Sequence, residues 1–109
     1  MARRLTILAL ALFTLFGSNP LLADPTSIEI GEGRKLVAER CGACHGTLRG
    51  QISPHDSAPP FEEVVKLYPP ESLAEALAEG ISVGHPDMPT FEFSREEIER
   101  IIAHLKSLE

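Results

Sequence analysis

The chain of 109 residues contains no tryptophan and only six aromatic side chains, one tyrosine and five phenylalanines. So few aromatic residues provide little bulk for an ordinary hydrophobic core. Cysteine is also scarce: a single disulfide between Cys41 and Cys44 would close a short loop and stabilise the chain only modestly. No segment shows the alternating pattern of a β-strand, and no internal repeat is visible. These absences predict a small all-α domain whose interior is completed by something other than side chains.

The sequence has no apolar run as long as a membrane span, which needs roughly 18 or more residues. The longest run, Leu5 to Phe16, follows two arginines and is broken by Gly-Ser-Asn-Pro; Ala23 then offers a small residue at a cleavage point. This pattern predicts a cleaved secretory signal peptide over residues 1–23 and one mature domain over residues 24–109. An uncleaved N-terminal anchor is the alternative, and only in that case would the protein be attached to a membrane.

Basic side chains are few in the predicted mature chain. Without the two arginines of the signal peptide, eight basic side chains of the ten remain against sixteen acidic ones, a formal charge of −8. Nucleic acid is therefore excluded as a partner, because binding to the phosphate backbone depends on lysine and arginine. Such a surface is suited to a soluble protein that is steered towards basic patches on other proteins.

Four helices are predicted from hydrophobic spacing and from start and stop signals. They cover residues 28–40, 61–68 and 71–80, and a fourth begins after Ser94. Ser94 and Glu97 form a capping box, and Gly80 is the expected stop of the third helix. The two irregular stretches between helices, 46–60 and 81–93, are long for a small domain, which is typical of loops that carry function or enclose a ligand.

The motif CGACH, residues 41–45, has several possible chemistries. A thioredoxin-like dithiol would need a preceding strand in a βαβ unit, whereas a helix is predicted here. Zinc usually takes four ligands, and the other histidines, His55, His85 and His104, are scattered. A plain disulfide leaves His45 unexplained. C-x-x-C-H is the attachment signature of c-type haem, in which two thiols one helical turn apart bond to the porphyrin and the histidine binds the iron.

If haem is present, the sixth ligand of its iron determines the function. Met88 is the only methionine in residues 24–109 and precedes Pro89, which stiffens the backbone. Met/His ligation raises the reduction potential of a haem and is typical of electron carriers. The alternatives are that Met88 fills a gap in the core, that His85 or His55 is the sixth ligand, and that the site is open. An open site would favour ligand binding or oxygen chemistry.

Four features together resemble the small class I cytochromes c of bacteria: GRKLVAERCGACHG, APPF, HPDMPTF and a closing amphipathic helix. The resemblance extends over residues 29–108. It implies about four short helices and loops wrapped around one covalently bound haem c. It also implies that Cys41 and Cys44 carry the thioether bonds and that His45 and Met88 are the axial ligands.

The resemblance assigns further roles in the haem pocket. Gly33 would let the first and last helices cross closely, the Pro59 carbonyl would accept a hydrogen bond from His45, and Phe61 would pack near the proximal face of the haem. The family often places an aromatic residue opposite the crossing glycine, where this chain has His104. That departure predicts either a looser crossing or a histidine that takes the aromatic residue's place.

The function implied by the resemblance is that of a periplasmic, soluble mono-haem carrier of single electrons, with no enzymatic activity. Its expected donor is a periplasmic dehydrogenase or a membrane complex that oxidises quinol, and its expected acceptor is a terminal oxidase or reductase. Arg49 and Tyr68 are candidates for binding the haem propionates, although a solvated arginine and a core tyrosine are the simpler interpretations. Two alternatives stay open: a peroxidase-like or gas-binding protein with an open iron, in which His85 would be the acid–base residue, and a subunit tightly bound to a periplasmic dehydrogenase.

Overall fold

The computed structural model describes residues 25–80 and 87–109. The predicted signal peptide and His85 lie outside the described residues. The elements in chain order are α1 (Pro25–Cys41), α2 (Phe61–Leu67), a 3₁₀ helix (Pro70–Leu73), α3 (Ala74–Glu79) and α4 (Arg95–Lys106). The part of the chain that the structure describes contains no strand, and the predicted all-α fold is confirmed. None of the helices found there is both long and apolar enough to cross a membrane.

Helix α1 ends on the first cysteine of the CGACH motif. It begins at Pro25, three residues before the predicted start, and proline is tolerated there because the first turn of a helix leaves its N–H groups unpaired. At the other end, the Gly42 N–H donates to the Ala38 carbonyl (3.2 Å) and the His45 N–H donates to the Cys41 carbonyl (2.9 Å). Hydrogen-bonded turns therefore continue from the end of the helix through the motif.

The third predicted helix is divided into two parts. Pro70 begins a tight 3₁₀ turn, which Ser72 supports by donating from its hydroxyl to the Pro69 carbonyl (2.7 Å). α3 then begins at Ala74 and stops at Gly80, whose φ of 72° is in the left-handed region that favours glycine. The predicted stop is confirmed. The predicted single helix was wrong, because the paired prolines impose a short separate turn at its start.

Helix α4 begins with the predicted capping box. The Glu97 N–H donates to the Ser94 hydroxyl (3.2 Å), and the Ser94 N–H donates to a carboxylate oxygen of Glu97 (2.8 Å). These bonds satisfy two backbone donors that a helix start would otherwise leave unpaired. The helix presents an apolar stripe to the interior, through Ile98, Ile101 and Leu105.

The buried cluster at the centre of the domain joins three helices: Val37 of α1, Val65 of α2, and Ile101, Leu105 and Leu108 of α4 and the residues after it. α1 and α4 cross at Gly33. A Cβ atom built there would overlap the carbonyl oxygen of Arg100 and lie 2.5 Å from its carbonyl carbon. Only glycine allows this approach. The crossing is therefore close, and His104 occupies the position opposite the glycine.

Candidate haem-binding site

The CGACH motif forms a turn at the end of α1 that carries both thiols and the histidine. The Cys44 N–H and the His45 N–H both donate to the Cys41 carbonyl, at 3.2 and 2.9 Å. The two cysteines are free thiols, and both are half-buried. Their spacing within one turn is suited to two attachment points on one flat ligand.

Cys41 packs against the buried cluster of the domain. Burial raises the pKa of its thiol to about 11, because removal from water disfavours the charged thiolate. A redox dithiol needs the opposite, a thiol whose pKa is lowered so that it attacks as the thiolate. The thioredoxin-like alternative therefore has no support in this geometry.

His45 is fixed on two sides. Its Nδ1 lies 2.7 Å from the Pro59 carbonyl oxygen, and its ring stacks on Phe61 with 4.8 Å between ring centroids and 18° between planes. A carbonyl can only accept, so Nδ1 carries a proton, and in the neutral imidazole the lone pair is on Nε2. A neutral imidazole of this tautomer, held by a carbonyl, is the usual form of a histidine that binds a metal. The residues present therefore fit a haem iron at Nε2.

The loop that follows the motif is tied back to it by side chains. The Gly46 N–H donates to the Ser53 hydroxyl (2.9 Å), and the Phe61 N–H donates to the Gly46 carbonyl (2.9 Å). Gln51 accepts from the N–H groups of Thr47 (2.8 Å) and Leu48 (3.0 Å). These bonds hold the chain after His45 in one conformation although it has no regular structure.

His55, one of the rival ligands, belongs to this loop. Its N–H donates to the Cys44 carbonyl (3.1 Å), and its Nδ1 accepts from the Ser57 N–H (3.2 Å). The lone pair of Nδ1 is therefore used locally. These two bonds orient the His55 ring within its own loop.

Met88 lies on the irregular segment between α3 and α4 and is 39% exposed. The alternative that it fills a gap in the core is therefore wrong. Its segment is held against α3: the Phe93 N–H donates to the Leu77 carbonyl (3.0 Å), and Thr90 approaches Gly80 so closely that a Cβ there would meet its methyl group at 2.8 Å. The Met88 residue is thus partly exposed on an anchored segment. His85, the other rival ligand, lies outside the described residues.

The two candidates for binding the propionates have different surroundings. Tyr68 is 56% exposed, so the expectation of a core tyrosine is wrong; it is the C-terminal cap of α2, in extended backbone. Arg49 is exposed but bound: Nη2 donates to the carbonyls of Ser107 (2.9 Å) and Glu109 (3.2 Å). Arg49 therefore connects the loop after the haem motif to the end of α4.

The sequence did not reveal one contact of this region. His104 is 2% exposed, and its Nε2 lies 2.8 Å from the Thr47 carbonyl oxygen. The signal in the sequence was the polar residue His104 within the apolar stripe of α4, because a buried polar side chain needs a hydrogen-bond partner. Among residues 25–80 and 87–109, no group of three or more histidine, cysteine, aspartate or glutamate side chains could hold a metal ion, so the zinc alternative gains no support there.

Comparisons with known proteins agree with this geometry. Residues 29–105 match the family model described as cytochrome C oxidase, cbb3-type, subunit III. The chain is also 34% identical over 91 residues to cytochrome c-552 of Bradyrhizobium diazoefficiens, an alignment that covers 84% of this chain and 81% of that protein. The comparison with solved structures gives no match. The chain therefore belongs to the small bacterial class I cytochromes c, which carry covalently bound haem c and use it for electron transfer.

Proposed function

We propose that the protein is a periplasmic mono-haem cytochrome c that passes single electrons between redox partner proteins. The observation that carries the proposal is the setting of His45: Nδ1 is bound to the Pro59 carbonyl, Phe61 stacks on the ring, and two free thiols lie in the same turn. Haem bound there supplies an iron that alternates between the ferric and ferrous states.

Five residues have distinct roles in this proposal. Cys41 and Cys44 hold the haem through thioether bonds, and His45 binds the iron through Nε2. Met88 is the second axial ligand, supported by its partial exposure and by the anchored segment that carries it. Pro59 keeps His45 in the required tautomer, which also strengthens the imidazole as a donor to the metal.

The proposed location rests on the composition of residues 1–23, and the proposed partners rest on the charge of residues 24–109. The segment 1–23 directs export and is removed, and residues 24–109 form the domain in the periplasm. A formal charge of −8 favours docking on basic patches of a donor such as a dehydrogenase or a quinol-oxidising complex, and of an acceptor such as a terminal oxidase or reductase. Two filled axial positions leave no place for a substrate, so the protein is proposed to be a carrier and not an enzyme.

A second candidate keeps the same chemistry in a different assembly. The matching family model is described as a subunit of an oxidase, which favours a chain that stays bound to a larger redox complex. Mild extraction of cells followed by size-exclusion chromatography distinguishes the two arrangements. A carrier elutes at the size of the single chain, and a subunit co-elutes with its complex.

The proposal is tested by expressing the full chain together with a c-type cytochrome maturation system. The spectra of the ferric form, the ferrous form and the ferrous form under carbon monoxide are then recorded. Covalent haem, sharp low-spin ferrous bands, a weak red ferric band from sulfur ligation and no reaction with carbon monoxide are expected. The matched control is the double variant Cys41→Ala, Cys44→Ala, which should hold no haem on a denaturing gel.

Two results would contradict the assignment in different ways. Ready binding of carbon monoxide to the wild-type chain would remove Met88 as a ligand and favour the peroxidase-like or gas-binding alternative. A chain without covalent haem would leave CGACH as a disulfide or metal site.

A further inference from the structure

His104 is a buried histidine to which the proposed function assigns no role. It belongs to α4, opposite Gly33 of α1, and its ring reaches across to the loop that follows the haem motif. The bond from Nε2 to the Thr47 carbonyl (2.8 Å) joins residues 57 positions apart. The acceptor belongs to the residue two places after His45.

The hydrogen bond defines the protonation of the ring. A carbonyl oxygen accepts only, so Nε2 carries the proton. Nδ1 is buried and has no hydrogen-bond partner among the residues that the structure describes. Protonation of Nδ1 would bury a positive charge together with an N–H group that has no acceptor, and both are costly in the interior. The site is therefore built for the neutral imidazole.

One charged group near the ring also opposes its protonation. Arg34 of α1 acts on the ring as a positive charge, and burial has the larger effect; both lower the pKa of His104, while the bond to Thr47 raises it. On α4 itself, Arg100 is paired with Glu32 of α1 (2.9 Å). The loop contributes Arg49, which is bound to carbonyls after α4. None of these described groups supplies a carboxylate to the ring.

Thr47 is the point where this bond can affect the haem motif. The residue is 4% exposed, and its N–H and hydroxyl both donate to Oε1 of Gln51 (2.8 and 3.2 Å). Its predecessor Gly46 is held through Ser53 and through the Phe61 N–H. The loop thus holds the N–H and the hydroxyl of Thr47 through Gln51, and α4 holds the Thr47 carbonyl through His104.

We propose that His104 is a positioning residue for the haem site: its neutral ring holds the Thr47 carbonyl, and with it the turn that carries His45. The inference rests on the proposed function, because a position matters only if His45 binds the iron. It predicts that the orientation of the His45 ring depends on a hydrogen-bond donor at residue 104. It also predicts that this orientation responds to pH, because a protonated ring brings an unpaired N–H into the interior.

The test uses the holoprotein, made from the full chain with its maturation system, and three variants. His104→Gln keeps an N–H donor near the place of Nε2 but does not titrate. His104→Phe keeps a flat ring without a donor. Lys106→Gln is the matched control, an exposed change on the same helix. NMR of the ferric protein measures the haem methyl shifts, which report the orientation of the axial ligands. It also measures amide exchange at residues 46–48 and the ring ¹⁵N signals of His104 from pH 4.5 to 8.

In the wild type, the ring signals should show the Nε2–H form at neutral pH, and the haem methyl shifts should change with the same midpoint as His104. In His104→Phe, exchange at residues 46–48 should be about fivefold to tenfold faster and the methyl shifts displaced. In His104→Gln and Lys106→Gln, exchange should stay within about twofold of wild type, and only His104→Gln should lose the pH response.

The inference is overturned if His104→Phe gives the methyl shifts and exchange rates of the wild type, or if His104→Gln behaves like His104→Phe. It is also overturned if His104 titrates while the haem signals stay constant. A failure of the proposed function is distinguishable from these results, because it appears earlier, as a chain without covalent haem.

Discussion

The backbone of α1 at Gly33 touches the backbone of α4 at Arg100. A Cβ atom at Gly33 would overlap the Arg100 carbonyl oxygen and come within 3.1 Å of the Cβ of His104. Protein interiors do not absorb such overlap without moving whole elements. The position of α4, and of every contact that it makes to the loop after the haem motif, therefore depends on a residue without a side chain.

Gly33→Ala should force the two helices apart and lower the free energy of unfolding by about 3 kcal/mol, the upper part of the range for overpacked sites. Gly31→Ala is the control, since a Cβ at that position of α1 meets nothing within 4 Å. It should raise stability by about 0.5–1 kcal/mol, because alanine is favoured over glycine within a helix. Urea denaturation of the holoproteins followed by circular dichroism measures both. Equal effects of the two changes would show that the helices do not meet as described.

Met88→Ala should remove the sulfur ligand of the iron. The weak red ferric band should disappear, carbon monoxide should bind to the ferrous form, and the potential should fall by a sizeable part of the roughly 0.8 V range that axial ligands span. Spectroscopy and a redox titration measure these effects.

The control for this change is Leu67→Ala, which shortens another exposed apolar side chain and should leave spectrum and potential unchanged. A Met88→Ala protein that keeps both the red band and its potential would assign the sixth position to a different residue.

Ser94→Ala should destabilise the start of α4 by about 1 kcal/mol, because the Glu97 N–H loses its acceptor. Glu96→Ala lies in the same first turn but outside the capping box, and should cost only a few tenths, about 0.3–0.5 kcal/mol, through the helix dipole. Thermal and urea denaturation of the two variants give the comparison. If Glu96→Ala lowered the free energy of unfolding more than Ser94→Ala, the capping box would not stabilise α4 as its geometry indicates.

Stability should decline at mildly acidic pH because of His104. Its pKa is lowered in the folded state below the unfolded value of about 6.5, so the unfolded chain binds the proton more readily. The stabilisation by the neutral ring is fully present above the unfolded pKa and is lost as the pH falls through the folded pKa. Urea titrations at pH 7.5, 6 and 5 should therefore show a steeper acid loss in the wild type than in His104→Gln. Parallel curves would mean that the ring protonates without penalty.

The features predicted correctly from the sequence are those fixed by neighbours along the chain. The capping box of Ser94 and Glu97 and the stop at Gly80 depend on a few consecutive residues, so their signals are local. The separate turn at Pro70 was missed because helical periodicity does not distinguish a 3₁₀ start from an α-helical one. The bond from His104 to Thr47 could not be predicted, because it depends on where α4 crosses α1. The position of His104 in the apolar stripe of α4 indicates that it is buried but does not indicate which residue it contacts.

The burial of Cys41 has a consequence for the order of haem attachment and packing of α4. Its thiol packs against a cluster to which α4 contributes, and burial keeps it protonated, so it reacts slowly once α4 is in place. Under the proposed export, haem would be attached in the periplasm, so the thiol would have to react there before α4 packs over it. A chain truncated after Phe93 should therefore still acquire covalent haem, which a haem stain would detect. The last helix would then pack over the motif only after haem attachment.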